Sequence, residues 1–296
     1  MDNRAEVREF LTSRRAKISP ERAGLPAGPR RRVPGLRRSE VAALADMSVE
    51  YYSKLERGNL AGVSPSVLEA LARALRLDEA ERAHLLHLAR AADGSDALTR
   101  PRRRRTQEQW RPHRSLQWTL DAVTAGPAFV RNGRMDILAV NPLARAFYAD
   151  VYASPGNQAN LARFNFLDPA SRRFYPDWEL FADTAVALLR TEAGRNPYDK
   201  DLHDLVGELS TRSDDFRTRW GTHNVRHHGT GTKRFHHHAV GDLTLAFEGL
   251  EMAAEPGLTL TIYTAEPGSA SEECLRLLSS WAATSPAPAR TPHPTD

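Results

Sequence analysis

The segment LRRSEVAALADMSVEYYSKLERGN, Leu36–Asn59, constrains this chain of 296 residues more than any other stretch. Val41, Leu44 and Ala45 mark the apolar stripe of a short helix. The chain must then turn sharply through Asp46, a place that commonly needs positive φ, which Asp tolerates better than most side chains. Ser48 is suited to cap the next helix by lending its oxygen to the free amides of the first turn. In that helix Tyr52 and Leu55 stand three apart and face a core together with Met47. Val49, Glu50, Ser53 and Lys54 are left on the outward side. The pattern predicts two short helices, one tight turn and a polar outer face on the second helix.

The flanking residues extend this into a small all-α unit. Residues 4–17 place Val7, Phe10 and Leu11 on one helical face. A stretch from Ser19 to Gly35, rich in Gly, Pro and Arg and containing Arg30, Arg31 and Arg32, reads as a loop. Ser64 followed by Pro65 opens a helix whose stripe is Val67, Leu68, Leu71, Ala72 and Leu75. Asp78 with Glu81 forms a capping-box start for a last helix carrying Leu85, Leu88 and Ala89. About five helices are thus expected over residues 1–92. The two central helices match the helix-turn-helix design, in which the second helix offers its N-terminal side chains to base edges in the major groove.

Charge supports that direction. Residues 1–114 carry 24 Lys+Arg against 15 Asp+Glu, a net of +9, and residues 115–296 carry 17 against 22, a net of −5. A basic N-terminal third on an acidic remainder suits a polyanion partner for the first part only. A solvated arginine-rich surface would give the same count.

Residues 93–114 lack any sustained apolar period, contain the run Arg102–Arg105, and read as a linker. From residue 115 the pattern is α+β, with an antiparallel sheet and helices against one face. A helix with Leu116, Leu120 and Val123 precedes two strand-like runs joined at Asn132-Gly133, a two-residue hairpin signal. Helices follow at Pro142, from Asp177, near Leu202–Leu209 and near Phe216–Trp220. Strand-like alternation then appears at Thr232–His238, at Leu243, Leu245 and Phe247, and at Leu258, Leu260 and Ile262. Residues 269–296 give a short helix over Ser271–Trp281 and a Pro-rich tail expected to be disordered.

ALADMSVEYYSKLERGN followed by SPSVLEALARAL resembles the Xre type of helix-turn-helix, with Glu56, Arg57 and Gly58 matching its usual ending and Asp46 standing where Gly is usual. The longer run GLRRSEVAALADMSVEYYSKLERG, with its arginine-rich approach, resembles the MmyB-like regulators. GRMDILAVNPLARAFY is similar to the opening of a PAS domain, and residues 115–268 look like the PAS-like ligand-binding domain of the MmyB-like group. The landmarks there are FLDPASRRFYPDW, DLVGELSTRSDDFRTRW, TGTKRFHHHAVGDLTL and IYTAEPGS. The resemblance implies that Ser48, Val49, Glu50 and Lys54 sit at or near bases, that Tyr51 faces the groove wall, and that Arg37, Arg38 and Arg57 meet phosphates of double-stranded DNA. The chemistry is compatible: Lys54 can donate to guanine, Glu50 can accept from cytosine, and Val49 can touch a thymine methyl. The same side chains would also serve as a solvated helix face.

The resemblance further implies a small, fatty-acid-like effector in the C-terminal domain, with Asn141 among its neighbours. Tyr148, Phe164, Trp178 and Phe181 have the bulk to line an apolar cavity, although core packing accounts for them equally. Arg219, His223, Arg226 and His237 are either carboxylate anchors or surface residues.

His227, His228, His236, His237 and His238 cluster in sequence, but successive strand residues point to opposite faces, and no metal is expected. No nucleophile elbow, phosphate-cradling glycine loop or HExxH occurs, so no catalysis and no required cofactor are expected. Cys274 is the only cysteine and cannot pair within the chain. The N-terminus lacks a signal-peptide core and no run of about 18 apolar residues occurs, so a cytoplasmic protein without a membrane partner is expected. A homodimer is expected, because most such heads read paired half-sites. The rivals are a haem- or flavin-bearing sensor or enzyme domain, and an antitoxin-like DNA-binding protein that acts through a protein partner.

Overall fold

A computed structural model of the chain describes residues 3–26, 35–93, 110, 112–221 and 230–284. Arg30–Arg32, Arg102–Arg105, His223, Arg226, His227, His228 and the Pro-rich tail beyond residue 284 lie outside the described residues. The chain divides into two compact units: residues 1–105 with 182–227, and residues 106–181 with 228–296.

The first unit opens with the five expected helices: α1 (Asn3–Lys17), α2 (Arg38–Leu44), α3 (Val49–Glu56), α4 (Pro65–Ala74) and α5 (Glu79–Ala92). Their apolar faces close on one core containing Val7, Phe10, Leu11, Val41, Tyr52, Leu55, Leu68, Leu71, Leu85 and Leu88. Leu44 departs from the expected stripe. It is 38% exposed, because the buried face of the short α2 runs through Val41, Ala42 and Ala45 instead. Asp78 and Glu81 make the expected capping box, with Glu81 N–H donating to Asp78 at 2.9 Å and Asp78 N–H to Glu81 at 3.1 Å. Ser64 stands at the N-cap of α4 without a side-chain bond to the helix; Pro65 supplies the pre-set φ of the first turn.

Three further helices join this unit from much later in the sequence: α11 (Trp178–Arg195) from Ala182 onward, α12 (Lys200–Arg212) and α13 (Asp214–Trp220). The anchor is a buried ion pair. Arg190 on α11 is fully buried, donates to Glu6 of α1 at 2.6 Å, gives a second bond to the Trp220 carbonyl, and lies 4.1 Å over the Trp220 ring. Gly194 lies against His84 of α5 so closely that a Cβ there would collide with the imidazole. Sequence order alone places these helices with the C-terminal part. Packing places them with the N-terminal helices.

The second unit holds α6 (Arg114–Ala122), β1 (Ala128–Asn132), β2 (Ile137–Val140), α7 (Pro142–Phe147), α8 (Ala149–Ala153), α9 (Leu161–Leu167), α10 (Ser171–Phe174), the start of α11, β3 (Thr230–His237), β4 (Gly241–Glu251), β5 (Leu258–Ala265) and α14 (Ala270–Thr284). The five strands form one sheet in the order β2-β1-β5-β4-β3, antiparallel at every pairing. The expected α+β unit with an antiparallel sheet is present.

Two details differ from expectation. The β1–β2 turn is longer than two residues: Met135 N–H bonds the Asn132 carbonyl at 3.1 Å, and the positive φ falls on Met135 (68°). This is the three-residue loop with a left-handed third residue, fixed by Asn132 and Asp136 bonding each other's side chains. Helices also reach both faces of the sheet. Leu116 and Leu120 of α6 pack with Ala128, Val130, Ala139 and Leu258, opposite the face that carries Phe129 and Tyr263.

Candidate functional site

The α2–α3 corner is built by local hydrogen bonding. Asp46 adopts φ 52°, Met47 N–H bonds Ala42 at 2.9 Å and Asp46 N–H bonds Ala43 at 3.3 Å, which ends α2 in the left-handed C-terminal motif. Ser48 then caps α3, its hydroxyl accepting from Tyr51 N–H at 3.1 Å. The far end of α3 closes the same way at Gly58 (φ 96°), where any Cβ would fall on the Arg4 backbone. Glycine in the Glu-Arg-Gly ending is therefore a packing requirement.

Glu56 ties the corner together. It is 1% exposed and accepts from Arg15 of α1 at 2.6 Å, from Arg38 of α2 and from the Tyr52 hydroxyl at 3.2 Å. Burial pushes its carboxyl up, but the hydrogen bonds from Arg15 and Arg38 outweigh that and hold it below the usual carboxylate range. Three helices are thereby pinned by one carboxylate.

This frame leaves the N-terminal edge of α3 in solvent. Ser48, Val49, Glu50, Lys54 and Arg57 are exposed, with Val49 at 40%. Tyr51 is half-buried against the core. Arg37 is exposed at the start of α2, its N–H bonding Glu40 at 2.6 Å. Arg38 spends its Nε on Glu56 while its side chain stays 56% exposed, so it has a structural duty beside the phosphate contact expected of it. The eight residues of α3 span about 12 Å, a length that fits the width of a major groove.

Of the residues expected around an effector, some share one layer of rings and others lie apart from it. Asn141 caps α7: its oxygen accepts from Ala144 and Ala128 N–H, and its amide donates to Val123 and Gly126. Tyr148 and Phe164 lie inside a continuous layer of rings with Phe147, Phe174, Phe235 and Tyr263. Phe181 joins that layer by stacking on Tyr175 at 3.9 Å. Trp178 bonds the Asn165 carbonyl at 3.0 Å beneath Arg172. Arg219 belongs to the first unit, paired with Asp183. His223 and Arg226 lie outside the described residues.

The histidine triplet alternates as a strand requires. His236 and His238 are exposed and near Asp242 and Asp150, whereas His237 is buried. His237 meets the Ala146 carbonyl through Nε2 at 3.2 Å and accepts Ala239 N–H through Nδ1 at 3.2 Å, which suits a neutral ring. Burial lowers its pKa.

One residue in the ring layer was not anticipated. Lys233 of β3 shares the inward face with Phe235 and His237, and its Nζ lies 4.1 Å from the Phe247 ring centre, 5.2 Å from Phe181 and 5.6 Å from Tyr263. The strand parity 233, 235, 237 could have revealed it.

Among the described residues no helix is long and apolar enough to cross a membrane. Residues 10–85 match a family model described as a helix-turn-helix domain. Residues 112–278 match the MmyB-like transcription regulator ligand binding domain, a stretch that includes α12 and α13 of the first unit. No curated relative matches the chain. With a helix-turn-helix head and a matched ligand-binding stretch covering more than half its length, the chain belongs to the MmyB-like transcription regulators, as a DNA-binding regulator with a ligand-binding C-terminal domain.

Proposed function

We propose that this is a one-component, cytoplasmic regulator in which α3 enters the major groove of double-stranded DNA and a fatty-acid-like effector in the C-terminal domain sets its activity. The exposed edge from Ser48 to Lys54, held on a corner pinned by Glu56, carries this reading. Val49, Glu50 and Lys54 read bases, Tyr51 meets the groove wall, and Arg37, Arg38 and Arg57 meet phosphates. The protein works without a cofactor and without catalysis, as a homodimer whose two heads read paired half-sites.

The effector reading draws on the family match and on the apolar ring layer of the second unit. The helix that gives Phe181 to the ring layer continues into the first unit, where Arg190 is locked into the core of the DNA-reading head.

The test is a gel-shift titration against an operator recovered by genomic footprinting, with light scattering for the oligomer. Lys54→Ala should lose operator preference while Arg57→Ala weakens all sequences alike. Unchanged preference in Lys54→Ala, or a monomer that binds its operator tightly, would contradict the scheme.

A further inference from the structure

Four buried or half-buried arginines of the first unit each have a carboxylate: Arg14 has Glu81, Arg15 has Glu56, Arg190 has Glu6 and Arg219 has Asp183. Lys233 does not. Its polar contact is the Tyr263 hydroxyl at 3.5 Å, itself bonded by the Tyr148 hydroxyl at 3.2 Å, and the charge that acts on it is that of Arg131 on β1, of like sign. Ring faces attract a cation but do not neutralise it. A cation set among rings beside a like charge is the environment that an incoming anion improves most.

We propose that Lys233 is the anchor for the charged end of the fatty-acid-like effector, whose carboxylate oxygens pair with the Lys233 ammonium beside Phe181, Phe247 and Tyr263. This rests on the ligand-binding reading of the C-terminal domain. It replaces Arg219, which is already paired with Asp183, and His237, whose two nitrogens are both satisfied. It also makes binding proton-linked. Burial, with Arg131 adding to it, pushes the Lys233 amine down to about 7, and pairing with a carboxylate raises it again, so binding above neutrality takes up a proton.

The experiment titrates the full chain with sodium decanoate and with decanol by calorimetry, in the wild type, in Lys233→Met and in Lys233→Arg. Decanoate should bind the wild type roughly tenfold or more above decanol, Lys233→Met should erase that preference while still binding decanol, and Lys233→Arg should keep it. Decanoate affinity of the wild type should fall by up to about tenfold per pH unit above about pH 7, with matching proton uptake, although the probe's own carboxyl stays ionised there. The wild-type pH series decides the matter even if Lys233→Met fails to fold. An acid preference that survives in Lys233→Met, an affinity flat with pH, or no binding of either probe overturns the proposal. Operator binding by the same preparation, measured in parallel, shows separately whether the regulator reading stands.

Discussion

The two units hold their ring-packed cations differently, Arg190 with a carboxylate and Lys233 with none among the described residues, although Arg134 of the second unit is itself paired with Asp136. In the first, cations below the surface are matched by carboxylates: Glu56 with Arg15, Glu6 with Arg190, Glu81 with Arg14. In the second, a layer of rings surrounds Lys233 and supplies no opposing charge. A unit whose charges are balanced internally holds one shape with nothing bound, which is what a surface that must match a groove requires. A unit with an unbalanced charge is completed by something else. The contrast assigns rigidity to the reading head and responsiveness to the sensing part.

The largest effect should come from unbalancing the head. Glu56→Ala leaves two guanidinium groups and the Tyr52 hydroxyl without their shared acceptor and should cost about 3–5 kcal/mol in chemical denaturation. A cost below about 1 kcal/mol would mean that the pairs do not hold the corner. Next is the reading edge itself: Lys54→Ala should weaken operator binding by roughly 1–3 kcal/mol, whereas Arg57→Ala should lower the salt slope by about 1 without changing sequence preference.

The second unit should answer in the reverse sense. Removing the unmatched cation by Lys233→Met should stabilise the ligand-free protein at neutral pH by on the order of 1–2 kcal/mol, since solvent reaches part of the side chain. The sign follows from linkage. The folded amine titrates at about 7 and the unfolded one near 10.5, so the unfolded chain binds more protons between those values and wild-type stability rises with pH across that window. The advantage of Met should therefore be greatest at and below about pH 7 and vanish above about pH 10.5. Denaturation curves for both proteins across that range give the difference; an advantage constant with pH would contradict it. The smallest effect is at the corner turn. Asp46→Gly relieves a left-handed φ of 52° and should raise the thermal midpoint modestly, by less than about 1 kcal/mol of stability.

The head was legible in the sequence because its signals are local. Ser48, Asp46 and the Asp78–Glu81 pair act within three residues of themselves, and the apolar periods of α1 to α5 suffice to place the core. What escaped were contacts between distant residues. Glu56 reads as the end of a motif, and its partners Arg15 and Arg38 lie 41 and 18 residues away. The Glu6–Arg190 pair spans 184 residues, so no pattern in the linear chain assigns α11 to the first unit. Asn132-Gly133 did mark a hairpin, but the Asn132–Asp136 side-chain bonds set a longer loop. Bulk singled out Tyr148, Phe164, Trp178 and Phe181, all of which belong to ring packing. The residue that distinguishes that packing, Lys233, went unseen because charge is ordinarily read as surface.

The placement of α3 in the groove is tested most directly by photo-crosslinking. A benzophenone side chain replacing Val49 in the full chain, irradiated with its operator duplex, should attach to bases facing the major groove, while the same group replacing Arg73 on α4 should not. Crosslinks from position 73 with none from position 49 would show that another surface meets the DNA.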